Sequence, residues 1–348
     1  MATRQRRDRS DSVDKELTDL FRVALESNNA VGKEIALIAV GGYGRAELSP
    51  GSDLDIVILH GGAIEGLAEI VNAFLYPLWD SGRAIDHSVR NLSEMKSVIS
   101  SDLKVALGAL NARYIAGNQS FADRAVTDIS TQAKKRMPSF LPELRVMTQE
   151  RHQRQGELAY LLEPDLKEAR GGLRDVTLIR AISDCTDITV PLDRVASAES
   201  SLLNIRDALH EVSGRNKDQL FFVEQDKVAD LLKFTNADEL MAEVARSART
   251  IDFVLELMWH QIDHQKGKNF LKLKKAKVKS LELGLALESN EVVIIDSFNT
   301  ADDPVIGLRA AATAAQLGVP LSLGSCERLA REMVDLPTPW PKTARAEL

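Results

Sequence analysis

Residues 40–56 read VGGYGRAELSPGSDLDI: two glycines close one apolar run, and two aspartates one residue apart open the next. Both features are costly, since glycine loses more freedom on folding than any other residue and close carboxylates repel. EIALIAV (34–40) reads as a buried strand. DLDIVIL (53–59) reads as a second, its aspartates alternating with Leu54 and Ile56. Residues i and i+2 of a strand share a face, so Asp53 and Asp55 project side by side. Such a pair suits a cation held between them, and hard oxygen ligands suit Mg²⁺ (or Mn²⁺) together with substrate phosphates. Gly41, Gly42 and Gly44 allow close backbone approach and can turn N–H groups toward an anion, with Arg45 placed to contact phosphate. A phosphate cradle followed by a metal-binding pair predicts a nucleoside triphosphate site and nucleotidyl transfer. The plain alternative is a hairpin with a polar turn.

Outward from this stretch, the spacing predicts a helix over Leu67–Trp79 and a third strand near Arg83–Val89, giving a small mixed sheet. From about residue 140 the pattern is helical. Leu202, Ile205, Leu209 and Val212 recur at three and four, with Gly214 as a stop. A long helix is predicted from Asn236, with Glu239 completing a capping box and a stripe from Leu240 through Val244, Ala248, Ile251, Leu255 and Met258 to Ile262. The Lys-rich stretch 267–280 reads as an exposed linker or basic strand. Residues 283–296 read as a hairpin turning at Ser289–Asn290, and Asp303 with Pro304 caps a helix that Gly318 stops. The fold class expected is α+β, a small mixed-sheet domain followed by an α-helical one.

The 348 residues, 44% of them hydrophobic, suffice for a sizeable core and two or more domains. A net charge of −7 and a pI near 5.5 argue against a general nucleic-acid or membrane-surface binder. The N-terminus MATRQRRDRSDSVDKEL carries aspartates that a transit peptide would lack, and reads as a frayed, solvated start. No apolar run approaches the roughly 20 residues of a membrane span. Cys185 and Cys326 form no CxxC pair, which fits a reducing cytoplasm. A soluble cytoplasmic protein is expected.

The stretch VGGYGRAELSPGSDLDIVIL resembles the catalytic signature of the bacterial PII uridylyltransferases, within the nucleotidyltransferase superfamily of DNA polymerase beta. LWDSGRAIDHSVR (78–90) is similar to the family's third-strand segment. LLEPDLKEARGGLRDV (161–176) and RDALHEVSGRNKDQLFF (206–222) resemble a second and a third signature, so the likeness covers roughly residues 30–265 in family order. It departs at Ala169, where the family usually has glycine, and at Asp86, where glycine is frequent. The resemblance implies Mg²⁺-dependent transfer of UMP from UTP to a tyrosine hydroxyl of the PII signalling protein. Actinobacterial relatives point to ATP and AMP instead, so both bases stand. Asp53 and Asp55 would hold metal. The superfamily's third carboxylate would fall on Asp86, whose alternative is a surface or salt-bridged aspartate.

Lys167 and Arg174 would reach the nucleotide phosphates, or simply join domains, with Arg174 pairing to Glu163 or Asp175. Tyr43 is either a base-stacking residue or a lid over the core. Arg83 and Arg90 could contact phosphate or line a solvated strand edge. His260 and His264, at i and i+4, read as a solvated helix end rather than a zinc site.

Four segments are expected: a helical extension (1–33), the nucleotidyltransferase domain (34–135), an associated helical domain (136–270) and a linker (271–348). Family members continue into an HD phosphohydrolase domain and ACT domains. None of the six histidines here precedes an aspartate. The expectation is therefore a fragment or natural truncation that adds nucleotide without removing it. A nucleotide-binding regulatory module without catalysis, or a transferase for another acceptor, stays open.

Overall fold

The chain opens with helix α1 (Ala2–Ser27), and the apolar run Ile35–Ala39 follows as β1, buried along its whole length. A single helical turn, α2 (Gly41–Gly44), leads to β2 (Leu54–His60), antiparallel to β1. Helix α3 (Leu67–Asp80) then crosses over to β3 (Ile85–Asn91), which lies parallel to β2. Helices α4 (Leu92–Ser101) and α5 (Leu103–Ala109) precede β4 (Arg113–Gly117), so the sheet order is β3-β2-β1-β4. The computed structural model describes residues 2–188, 190–270, 279–281, 283–288 and 290–346.

The sheet is central because β1 has no polar residue to show to water: it reads as the uninterrupted apolar run of a strand covered on both faces. One face packs Leu37, Leu54, Ile56 and Ile58 against Phe74, Leu75 and Leu78 of α3 and against Leu17 and Phe21 of α1. Each such side chain contributes about 1.5–3 kcal/mol on burial. Strand β4 was not expected, although Asn111-Ala112 and Gly117-Asn118 bracket it as turn signals.

The frayed N-terminus is a correction. Helix α1 buries Leu17, Phe21 and Ala24, and its polar side chains are anchored too. Arg9 Nη1 donates to the Leu48 carbonyl (2.5 Å), and Asp14 accepts from the Tyr43 hydroxyl (2.6 Å) and from Arg113 Nη1 (2.5 Å). The apolar spacing at 17, 21 and 24 carried this signal beneath a highly charged composition.

The helical region continues with α6 (Gln119–Gln155), which runs across the expected boundary at 135, then α7 (Leu173–Cys185), α8 (Leu192–Ser213), α9 (Phe222–Leu232) and α10 (Ala237–Phe270). Gly214 ends α8 at φ 61°, as its position predicts. At the start of α10 the Asn236 side chain accepts from the Glu239 N–H (2.9 Å), while Glu239 reaches back one residue further than a capping box requires, to the Thr235 N–H (2.6 Å). Every residue of the predicted α10 stripe is buried.

Contacts divide the chain into Met1–Gln261 and Ile262–Leu348. In the second unit, strands β5 (Lys279–Ser280), β6 (Leu285–Glu288) and β7 (Glu291–Ile294) form an antiparallel sheet, joined by helices α11 (Ile306–Leu317) and α12 (Leu323–Glu332). The residues read as a linker thus carry a core of their own, built on Leu285, Val292, Ile294, Ile306 and Ala310. The hairpin turn has Asn290 at φ 64°, while Ser289 lies outside the described residues. In the Lys-rich stretch, 267–270 continue α10 and 279–280 form β5. Residues 271–278 lie outside the described residues, as does the His264 side chain, half of the expected histidine pair. No helix among the described residues is long and apolar enough to cross a membrane.

Candidate active site

Asp53 lies just before β2 and Asp55 within it, between the buried Leu54 and Ile56. The parallel register sets Asp55 directly opposite Asp86 on β3, so both side chains leave the same face of the sheet. Asp53 and Asp86 are exposed, and Asp55 is half-buried. The Asp55 carboxyl is pushed above the ordinary carboxylate range by burial first, then by the charges of Asp86 and Asp53. Lys167 and Arg174 pull it back down. Four residues singled out from sequence thus act on one carboxyl.

The glycine turn presses on that group. Gly41 sits at φ 58°, and a Cβ there would stand 3.1 Å from Asp55 Oδ2. The Val40 N–H donates to the Asp55 carbonyl (3.0 Å), tying the turn to β2. Gly44 has a packing reason of its own, since a Cβ would fall 1.9 Å from the Asn111 carbonyl oxygen. Gly42 faces only the Arg45 guanidinium, 3.8 Å from where its Cβ would be. Val40, at the N-cap, offers no side-chain hydrogen bond to the turn.

Two neighbours of the turn face elsewhere. Arg45 Nε donates to Glu47 (2.7 Å), and Glu47 also accepts from Arg180 Nη1 (3.0 Å), which in turn contacts Glu199. Burial pushes Glu199 up to about 7, with Arg180 opposing and Glu47 reinforcing the rise. Tyr43 is 1% exposed beneath α1, so it is the lid over the core rather than a base-stacking residue. Arg83 pairs with Glu16 (2.9 Å).

Lys167 and Arg174 come from a tightly wound loop at the start of α7. Asp165 Oδ1 accepts from the Lys167 and Glu168 N–H groups (2.9 and 2.7 Å), and Leu173 and Arg174 N–H groups return to the carbonyls of Leu166 and Lys167 (both 3.0 Å). Gly171, at φ 83°, lies so near α10 that a Cβ would meet the Ala248 carbonyl at 2.5 Å. Asp175 closes the loop: fully buried, it accepts from the Gly171 N–H (2.7 Å), from His152 Nε2 (3.0 Å) and from Arg151. Burial alone would raise its carboxyl, yet the hydrogen bonds and charges of His152 and Arg151 hold it below the usual range. Arg174 pairs with Glu168 (2.6 Å), not with either partner expected for it.

Sequence reasoning missed a second polar knot, formed by the third signature. Arg206 and His210, four apart on the flank of the α8 stripe, are buried. Arg206 donates to Asp218 (2.7 Å) and to Ser49 Oγ (3.1 Å); His210 contacts the Pro50 carbonyl through Nδ1 (2.5 Å) and Asp218 through Nε2 (2.8 Å). Lys167 Nζ is 3.9 Å from Asp218 Oδ2, and Asn216 Nδ2 donates to Asp53 Oδ1 (3.1 Å). The usable signal was two polar side chains at i and i+4 beside an apolar helical stripe.

Among the described residues, no three His, Cys, Asp or Glu side chains form a ready-made metal cage. The donor set still fits Mg²⁺, which needs only one or two carboxylates when water and phosphates supply the rest. Of two surface cavities among the described residues, about 560 Å³ beside Glu34 and Arg124 and about 270 Å³ beside Arg45 and Arg180, neither is lined by Asp53, Asp55 or Asp86.

A small mixed sheet with aspartates at facing positions of β2 and β3, followed by a helical region, is the nucleotidyltransferase class of fold. Residues 140–259 match the family model described as GlnD PII-uridylyltransferase. Three relatives are each described as a bifunctional uridylyltransferase/uridylyl-removing enzyme. That of Streptomyces coelicolor is 40% identical over 99% of this chain and 42% of its own length. Those of Mycobacterium tuberculosis and Corynebacterium glutamicum are 36% and 30% identical, each over 90% of this chain and over 40% and 44% of their own lengths. Residues 140–259 thus carry a domain of the PII-uridylyltransferase family, and the chain spans about two fifths of the length of the curated relatives it matches.

Proposed function

We propose that this chain transfers UMP from UTP to a hydroxyl of a PII-type signalling protein, releasing pyrophosphate. The observation that supports this most is the facing pair Asp55 and Asp86, with Asp53 beside them and Lys167 and Arg174 opposing their charge. Crowded carboxylates repel one another, and a divalent ion with its triphosphate would turn that repulsion into attraction. Asp53 and Asp55 would hold Mg²⁺ (or Mn²⁺), which supplies charge neutralisation at the α-phosphate and the leaving pyrophosphate. Gly41, Gly42 and Gly44 shape the turn against which the phosphates lie. Lys167 and Arg174 stabilise the charge that grows on the leaving group. The acceptor oxygen bonds to the α-phosphorus as the bond to the β-phosphate breaks, and Asp86 takes the acceptor proton. Arg45 acts through Glu47, as a brace of the turn.

The experiment is the intact mass of a PII protein after incubation with this chain, Mg²⁺ and either UTP or ATP. A gain of one uridylyl group per subunit is expected. No gain with UTP overturns the reading, and a gain with ATP alone replaces the base.

A further inference from the structure

We infer that Asn216 is a positioning residue: its side-chain amide orients the Asp53 carboxylate for metal binding, and the knot on Asp218 holds that amide in place. The inference rests on the metal role given to Asp53 above.

The geometry has three parts. First, Asn216 Nδ2 donates to Asp53 Oδ1 at 3.1 Å, which fixes one oxygen and leaves Oδ2 to point elsewhere. An amide is neutral, so it orients the carboxylate without cancelling the charge that a cation needs. Second, the contact comes from a different segment of the chain, 163 residues away. Gly51, at φ 73°, lies beside it: a Cβ there would make ordinary van der Waals contact with the Asn216 Cβ at 3.6 Å, so the two loops are neighbours. Third, both loops are pinned by the same side chain. His210 holds the Pro50 carbonyl through one ring nitrogen and Asp218, two residues after Asn216, through the other. Asp218 also lies 3.9 Å from Lys167 Nζ. One anchored segment therefore sets the direction of a metal-binding carboxylate and the position of a phosphate-facing ammonium.

An exposed amide–carboxylate hydrogen bond adds little to folding, because water solvates both groups when it is absent. Its consequence lies in ligand geometry, where loss of an orienting partner typically lowers metal affinity about 10- to 100-fold.

The test measures binding without turnover. Mn²⁺ affinity is read by electron paramagnetic resonance on the full chain with α,β-imido-UTP, which cannot be cleaved at the reacting bond, and melting temperature is read alongside. Asn216→Ala is expected to weaken Mn²⁺ binding about tenfold or more with the melting temperature unchanged. Asn216→Gln, which keeps an amide, is expected to restore part of it. In the Asp53→Asn background, Asn216→Ala should change nothing further. If wild type binds Mn²⁺ and Asn216→Ala binds it equally well, the positioning role is wrong and the metal site stands. A lowered melting temperature with unchanged affinity overturns the role as well, leaving a purely structural contact. If wild type itself binds no Mn²⁺, the metal reading of Asp53 fails first.

Discussion

Two groups of aspartates in the first unit have opposite electrostatic fates. Asp175 and Asp218 lie inside the helical region, each surrounded by an arginine and a histidine, and each is held below the ordinary carboxylate range despite burial. Asp55 lies at the end of the sheet beside two more carboxylates and is pushed above that range. The first kind is satisfied within the fold and therefore structural. The second is crowded by like charges that outweigh its cationic neighbours, which fits the metal-binding role proposed for it. The same residue type serves both ends because a carboxylate's role is set by what faces it.

Four substitutions test the contrast. Asp55→Asn removes the crowded charge and should lower transfer on the order of 10³-fold or more, equivalent to about 4 kcal/mol of barrier. Its melting temperature should hold or rise, because a repulsion is relieved. Substantial residual transfer to PII, read by mass, would place Asp55 outside the metal site. Asp175→Ala should do the reverse of this on stability, costing about 3–5 kcal/mol because Arg151 and His152 lose a buried partner. Urea unfolding measures it, and a loss below about 1 kcal/mol would show that the knot is not a structural anchor.

Glu199 lies between the two kinds, paired with Arg180 yet pushed up to about 7 by burial. The folded protein holds this proton more tightly than the unfolded chain. The stability it contributes is full below the ordinary glutamate range and is lost as pH rises through about 7, by on the order of 2 kcal/mol. Glu199→Gln should flatten that decline in melting temperature against pH, and an unaltered profile would assign the decline to other groups. The smallest effect is expected from Gly41→Ala. Left-handed backbone costs a Cβ-bearing residue about 1–2 kcal/mol, and the added methyl would crowd Asp55. Transfer should fall about tenfold, and an unchanged rate would mean that the turn has room to give.

The sequence by itself determined the sheet end. Alternation of Asp53 and Asp55 with Leu54 and Ile56, after a glycine turn that follows an apolar run, is local information, because strand periodicity assigns faces without reference to the rest of the chain. The helix stops at Gly214 and Gly318 and the α10 stripe were legible for the same reason. Only the tertiary structure decided what each charge faces. That Asp86 lies opposite Asp55 is a matter of strand register, and that Glu47, the partner of Arg45, also meets Arg180 depends on α7 arriving beside the turn. The burial of Tyr43 depends on α1, whose charged composition hid its apolar face. Asn216 reaches Asp53 only because Arg206 and His210 fasten α8 to the loop before β2. Local periodicity fixes where a side chain points along its own element, whereas electrostatic partners come from elements distant in sequence, and packing alone brings those together.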